Sequence, residues 1–264
     1  MSFEEETALV TGSSRGIGKA IAMEMARRGA SVVVHGSRDS RKLRDAADEI
    51  RDLGATVHTV TGDWSDPAEV VRAATEAWSV AGRIDILINN AGIALNKPFF
   101  ETTDAEVLNI LKVNFLGAYV ATREICREMV THHITGRVLT VTSINGIRPA
   151  NGFSAYGASK GALEAAMKPI ALELAPHGIL CNSLAVGVID TDMNTHVRND
   201  EQLKKAIEDA IPTGRIGGVD EIAGIACDLV EPHNSYMSGA SITIDGGLLL
   251  TRSFVSPENP GEAR

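Results

Sequence analysis

Tyr156 and Lys160 stand four residues apart in the stretch YGASK, a spacing that brings two side chains to one face of a helix. A free phenol ionises near pH ~10, too high for a good proton acceptor at neutrality. A neighbouring ammonium favours the phenolate and lowers that value. A tyrosine tuned in this way can give a proton to a carbonyl oxygen or take one from an alcohol. A second chemistry-bearing stretch is Thr11-Gly12-Ser13-Ser14-Arg15-Gly16-Ile17-Gly18. Its glycines allow a tight turn and a close approach of backbone to a phosphate. The helix start behind them offers free N–H groups and the positive end of its dipole to an anion. Taken singly, each feature has an ordinary structural reading. Tyrosine and lysine share a face on many amphipathic helices, and glycines close many strand-to-helix turns.

The surrounding pattern says what must position these groups. Short apolar, β-branched runs predict strands at Thr7–Thr11, Ser31–Val34, Thr56–Thr61, Ile84–Asn89, Gly136–Thr142, Leu180–Ala185 and Ile242–Ile244. Several are apolar throughout, as in strands buried on both faces. Helical segments lie between them, among them Lys19–Arg28, Arg41–Leu53, Pro67–Ala77, Ala105–Thr131 and Tyr156–Ala175. Strand alternating with helix predicts a doubly wound α/β fold of the Rossmann type, with a mostly parallel sheet and helices on both faces. The rhythm runs unbroken to about residue 250, so residues 1–250 read as one domain and 251–264 as a tail, loosely ordered or docked on a neighbour.

The chain of 264 residues is 44% hydrophobic and 22% charged, which excludes a disordered chain, a collagen-like repeat and a small disulfide scaffold. With 25 Lys and Arg against 34 Asp and Glu, the net charge of −9 argues against nucleic acid or an anionic membrane as a partner. Cys126, Cys181 and Cys227 show neither metal spacing nor a disulfide framework and read as buried thiols of a reducing compartment. The N-terminus has no signal-peptide pattern and no stretch has membrane-span length, so a soluble cytoplasmic protein is expected. His132-His133 ends a long helix and suits its dipole, while His35, His58, His177, His196 and His233 lack partners at ligand spacing, so no metal site is expected.

The glycine spacing, G-x-x-x-G-x-G, is not that of the standard dinucleotide-binding loop. It resembles the cofactor loop of the short-chain dehydrogenase/reductase family. The family's other motifs follow in order: Asn89-Asn90-Ala91-Gly92, Asn114 in KVNFLGAY, Ser143 thirteen residues before Tyr156, the YxxxK of Tyr156 and Lys160, and Asp245-Gly246-Gly247. The resemblance covers the chain up to about Gly247. It implies that Tyr156 is the acid/base, that Lys160 also holds the nicotinamide ribose, that Ser143 bonds the substrate oxygen, and that Asn114 holds a relay water. It further implies that Gly12, Ser14, Arg15, Gly16, Ile17 and Gly18 bind the dinucleotide. Asp63 and Trp64 would flank the adenine, Asn90, Ala91 and Gly92 the adenosine ribose side, and Gly187, Ile189 and Thr191 the nicotinamide end.

The second strand runs into His35-Gly36-Ser37-Arg38 with no carboxylate at the place that binds the ribose hydroxyls of NAD. Arg15 and Arg38 are therefore expected to grip a 2′-phosphate, which makes NADP the expected cofactor and NAD the alternative. Arg41, Lys42 and Arg44 read as a solvated helix face whose start lies near the adenosine end. Two departures from the family pattern stand out. Val186 replaces a proline before Gly187, which predicts local loosening, and Pro169 inside a helix predicts a kink. Substrate contacts are expected from Ser143, Asn145, Asn151, Phe153, Tyr156 and Met193, with the segment 190–214 folding over the substrate and the segments Asn145–Phe153 and Ala94–Phe99 adding specificity. The chain looks similar to glucose 1-dehydrogenases and gluconate 5-dehydrogenases, and also to 3-oxoacyl-acyl-carrier-protein reductases. A small polar substrate such as a sugar or sugar acid is preferred, because an acidic carrier needs a basic docking surface and Leu172 stands where carrier reductases have an arginine. A non-catalytic nicotinamide-binding sensor or scaffold is the reading from another class. The family implies a homotetramer, then a homodimer.

Overall fold

A computed structural model describes residues 3–251. Seven parallel strands form one sheet: β1 (Thr7–Val10), β2 (Ser31–Gly36), β3 (Val57–Thr61), β4 (Ile86–Asn89), β5 (Arg137–Ser143), β6 (Leu180–Val186) and β7 (Ser241–Ile244). Their order is β3-β2-β1-β4-β5-β6-β7. Strands two to three lead outward one way from β1 and strands four to seven the other, so the order reverses between β1 and β4. A crevice at the carboxyl ends of strands is expected at that reversal. All seven expected strands are present, with ends displaced by no more than two residues.

Helices cover both faces, as the alternation of strand residues requires. Ala8, Val10, Val32, Val34, Ile86 and Ile88 point to α1 (Gly16–Arg27), α2 (Arg41–Asp52) and α9 (Val219–Leu229), meeting Ile21, Leu43, Ile50 and Ile222. Leu9, Val33 and Leu87 point the other way, to α3 (Pro67–Ala81), α5 (Ala118–Thr131) and α6 (Ser154–Leu174). Starts and stops follow local chemistry. Ser40 caps α2 by accepting from the Leu43 N–H, and Asp66 caps α3 beside Pro67. Gly82, at φ 70°, ends α3 in the left-handed conformation.

The expected helix 105–131 is present as one unbroken run but is not α-helical throughout. It divides into α4 (Asp104–Leu111), a π-helical turn over Lys112–Gly117, and α5. The wide turn brings Asn114 to the strand ends, where its Oδ1 accepts from Ile93 N (2.8 Å) and its Nδ2 donates to Ile93 O (2.9 Å). Two short helices, α7 (Thr195–Arg198) and α8 (Glu201–Ala210), form the segment expected over the substrate. The loosening expected at Val186 is not seen: this residue ends β6, is 4% exposed, and pairs with Ser143 and Ile244. Pro169 does not interrupt α6. Residues 252–264 of the expected tail lie outside the described residues.

Candidate active site

A cleft of about 730 Å³ opens where the strand order reverses, lined by Gly12, Ser14, Arg15, Gly16 and Ile17 from one motif and Asn90, Ala91 and Gly92 from another. Thr11 and Asn90 fasten these segments together. The Thr11 hydroxyl accepts from Asn90 N (2.9 Å) and Ala91 N (3.0 Å), and Asn90 Nδ2 donates to Thr11 O (3.0 Å) and Gly12 O (3.2 Å). Gly18 faces inward at this joint: a Cβ there would lie 2.3 Å from Asn90 Nδ2 and 2.5 Å from Gly12 O. Gly12 has φ +64° and would place a Cβ 2.8 Å from Ala91 Cα. Arg15, at the N-cap of α1, makes no side-chain cap bond, so the first-turn N–H groups have no capping oxygen there. A diphosphate supplies the oxygens such a terminus lacks, and the residues present fit a dinucleotide.

His35, Gly36, Ser37, Asp63, Trp64 and Ser65 line the far part of the same cleft. His35 is 2% exposed and accepts the Gly12 N–H at Nδ1 (3.0 Å), which places its proton on Nε2 toward Gly62 O (3.1 Å). Its ring lies 3.8 Å from that of Trp64, centroid to centroid. Burial pushes its pKa down to about 4, and the Gly62 carbonyl opposes that only in part. His35 thus holds the glycine loop as a neutral imidazole. Its place at the end of β2 was the signal that a search for metal-ligand spacing passed over. Arg38, expected as half of a phosphate clamp, is exposed and does not line the cleft; Ser37 takes that place.

A second cavity of about 460 Å³ adjoins the cleft, sharing Ile17, Asn90, Gly92, Thr191 and Met193 with it. Ser143, Tyr156 and Lys160 all line it. β5 delivers Ser143 at its end, and α6 presents Tyr156 and Lys160 one turn apart. The Ser143 hydroxyl sits beside that of Tyr156 and favours its phenolate, and Ser143 Oγ accepts from Asn145 N (3.2 Å). Lys160 is 5% exposed and donates to Val141 O (2.9 Å). The expected lowering of Tyr156 by Lys160 is not what this geometry gives. Burial raises the phenol, with the Ser143 bond opposing it, and burial lowers Lys160 to about 8. Asn114 is fully buried, and its amide is committed to Ile93 and to Ser159 Oγ (3.0 Å). Its side chain is therefore not a free water holder.

Gly187, Ile189, Thr191, Asn145 and Met193 line the cavity as expected, and Asn151 does not; its neighbour Ala150 does. Asn145 Oδ1 accepts from Ala150 N (3.0 Å), a turn-forming bond. Asn96, Arg148 and Asn194 add polar groups that the sequence reading did not name singly, although each falls in a segment expected to set specificity. Arg148 donates to Leu248 O and Thr251 O, both at 2.9 Å, so only the folded chain reveals its place. Lid residues Met193, Val197, Leu203 and Ile207 supply an apolar wall with Leu248 and Leu249. Cys126, Cys181 and Cys227 are buried and unbridged, and among the described residues no cluster of His, Cys, Asp or Glu could hold a metal. Among them, too, no helix is long and apolar enough to cross a membrane.

This fold, with Ser143, Tyr156 and Lys160 beside a cleft whose lining fits a dinucleotide, is that of a nicotinamide-dependent oxidoreductase acting on alcohol and carbonyl groups. Residues 12–249 match the family profile described as enoyl-(acyl carrier protein) reductase. The chain is 34% identical over 250 residues to an L-rhamnose 1-dehydrogenase (NADP(+)) of Thermoplasma acidophilum, covering 95% of this chain and 98% of that protein. It is 32% identical to a 3-oxoacyl-[acyl-carrier-protein] reductase of Aquifex aeolicus, covering 94% and 99%. A crystal structure assigned as an NAD(P)-dependent gluconate 5-dehydrogenase from Beutenbergia cavernae, with NADP bound, superposes with a TM-score of 0.90 at 34% identity, covering 95% and 99%. The chain belongs to the short-chain dehydrogenase/reductase family.

Proposed function

We propose that the protein is an NADP(H)-dependent dehydrogenase/reductase of a small polar secondary alcohol or ketone, a sugar or sugar acid. The observation that carries this is the Ser143–Tyr156 pair, its serine buried and its tyrosine half-buried, lining a cavity continuous with the dinucleotide cleft. The nicotinamide, when bound, supplies the hydride exchange. Ser143 holds the substrate oxygen, and Tyr156 gives it a proton or takes one from it. With its pKa raised by burial, Tyr156 keeps its proton at neutral pH, so it enters a reduction in the protonated form. Lys160 holds the ribose and brings positive charge to the phenolate side. A relay water at Asn114 would rest on main-chain oxygens freed in the π-turn, since the amide is engaged.

Arg15 lining the cleft, and a β2 end without a carboxylate, support NADP(H). Asn96, Asn145, Asn194 and Arg148 supply groups that suit hydroxyls and a carboxylate, and relatives named for rhamnose and gluconate point the same way. The apolar lid wall favours a second reading, reduction of a carrier-bound 3-oxoacyl chain. Exposed Leu108, Tyr119 and Leu172 on α4, α5 and α6 support a homo-oligomer, tetramer before dimer, which light scattering measures directly. The free thiols support a cytoplasmic location.

The test is a fluorescence titration with NADPH and NADH, then a turnover panel of aldoses, aldonic acids and a 3-oxoacyl thioester. Tighter NADPH binding and turnover of a sugar or sugar acid are expected. Turnover of the thioester alone would establish the second reading, and binding of neither cofactor would return the sensor reading.

A further inference from the structure

Asp192 reaches across the dinucleotide cleft from the lid. Its carboxylate accepts from Lys42 Nζ at 2.8 Å, and Arg15 Nη1 lies 3.7 Å from the same oxygen. Arg15 belongs to the glycine loop, Lys42 to the first turn of α2 just beyond β2, and Asp192 to the segment that also carries α7 and α8. Arg15 and Asp192 line the cleft, next to Ser37 at the β2 end. The two cations favour the ionised Asp192, whose pKa is lowered chiefly by the Lys42 bond. Two cations meeting one oxyanion beside the carboxylate-free end of β2 is the arrangement a 2′-phosphate itself would seek.

We propose that Asp192 is a built-in competitor of the cofactor 2′-phosphate: it latches the lid to Arg15 and Lys42, and NADP(H) must displace it where NAD(H) need not. This rests on the NADP(H) reading above and adds two residues to it. Lys42, outside the cleft lining itself but bonded to the lining residue Asp192, becomes a second cation of the phosphate site beside Arg15. Asp192 becomes a specificity-determining residue that lowers NADP(H) affinity and couples that cofactor to release of the lid. A phosphate that takes over the two cations leaves Asp192 without its partners, so the bound cofactor and the latched lid exclude one another.

All three side chains are about half exposed, at 62% for Arg15, 59% for Lys42 and 47% for Asp192. Exposed pairs are worth only a few-fold each in an equilibrium constant, so removing the competitor should tighten NADPH about three- to tenfold. The test uses the full chain with Asp192→Asn, Lys42→Gln and the double variant. The readouts are dissociation constants for NADPH, NADH, 2′-AMP and 5′-AMP, and hydrogen exchange of segment 192–210 without ligand.

Asp192→Asn is expected to tighten NADPH and 2′-AMP and to leave NADH and 5′-AMP unmoved. Lys42→Gln is expected to weaken NADPH and 2′-AMP, and in its background Asp192→Asn should have a smaller effect. Either single change should speed exchange in the lid. Equal effects on phosphorylated and unphosphorylated ligands, weaker NADPH binding in Asp192→Asn, or unchanged lid exchange would each overturn the proposal. A wild-type protein with no preference for NADPH would refute the cofactor reading alone. The proposal then stands if Asp192→Asn brings the preference out and falls if the ratio stays fixed.

Discussion

Lys160 is the place where this protein is expected to give up stability for function, and the amount can be worked out. The ammonium is 5% exposed, and burial lowers its pKa from the ordinary 10.5 to about 8. Each pKa unit is worth about 1.36 kcal/mol, so holding Lys160 protonated destabilises the fold by about 3 kcal/mol at neutral pH. The sign follows from linkage. Below pH 8 both states carry the proton and the whole penalty is present. Between 8 and 10.5 the folded state releases its proton first, and the penalty fades. Lys160→Met keeps the length, removes the charge and forfeits the bond to Val141 O, worth about 1 kcal/mol. The variant should be more stable than the parent by about 2 kcal/mol at pH 7, raising Tm by about 4–8 °C. It should also lose nearly all turnover. The advantage should shrink to about zero by pH 10. Thermal denaturation of both proteins at pH 7 and pH 10 measures this. A less stable variant at pH 7, or an advantage that ignores pH, would refute the reasoning.

Tyr156→Phe should cut turnover about 10²–10⁴-fold while NADPH titration shows cofactor binding intact, since the phenol exchanges protons and does not build the cleft. Stability should fall as pH drops from 6.5 toward about 4, because unfolded chains protonate His35 and the folded one resists. The loss approaches about 3 kcal/mol, and denaturant melts of His35→Asn should lack that component. Gly18→Ala should weaken dinucleotide binding at least about tenfold, as its methyl meets Asn90 and Gly12 O, and titration with NADPH reads it. Cys126, Cys181 and Cys227 should react with a thiol reagent only after unfolding, since they are buried and burial raises each thiol, to about 12 for Cys181 and Cys227.

The strands were legible because buried parallel strands write themselves as apolar runs, and the loop and YxxxK motifs because their spacing is local. The π-turn was not, because one extra residue inside 105–131 leaves the helical period nearly intact while redirecting Asn114. Arg38 stands exposed and outside the cleft lining, and no sequence period says where a loop side chain points. Lys42 looked like one more surface cation in a charged helix turn; only its approach to Asp192, 150 residues away, distinguishes it. Arg148 and Asn151 illustrate the same limit. They stand three residues apart in one loop, and the fold turns one toward the cavity and the other away from it.

Arg148 also fixes when a nascent chain becomes competent. Ser143, Tyr156 and Lys160 leave the ribosome early, yet the cavity they serve takes its far wall from Leu248, Leu249 and Thr251, fastened through Leu248 O and Thr251 O. β7, the edge strand on which that wall rests, is also the last strand made among the described residues. The reacting groups are thus synthesised before the wall that encloses them, so a chain stalled between Lys160 and Leu248 holds the chemistry without the vessel.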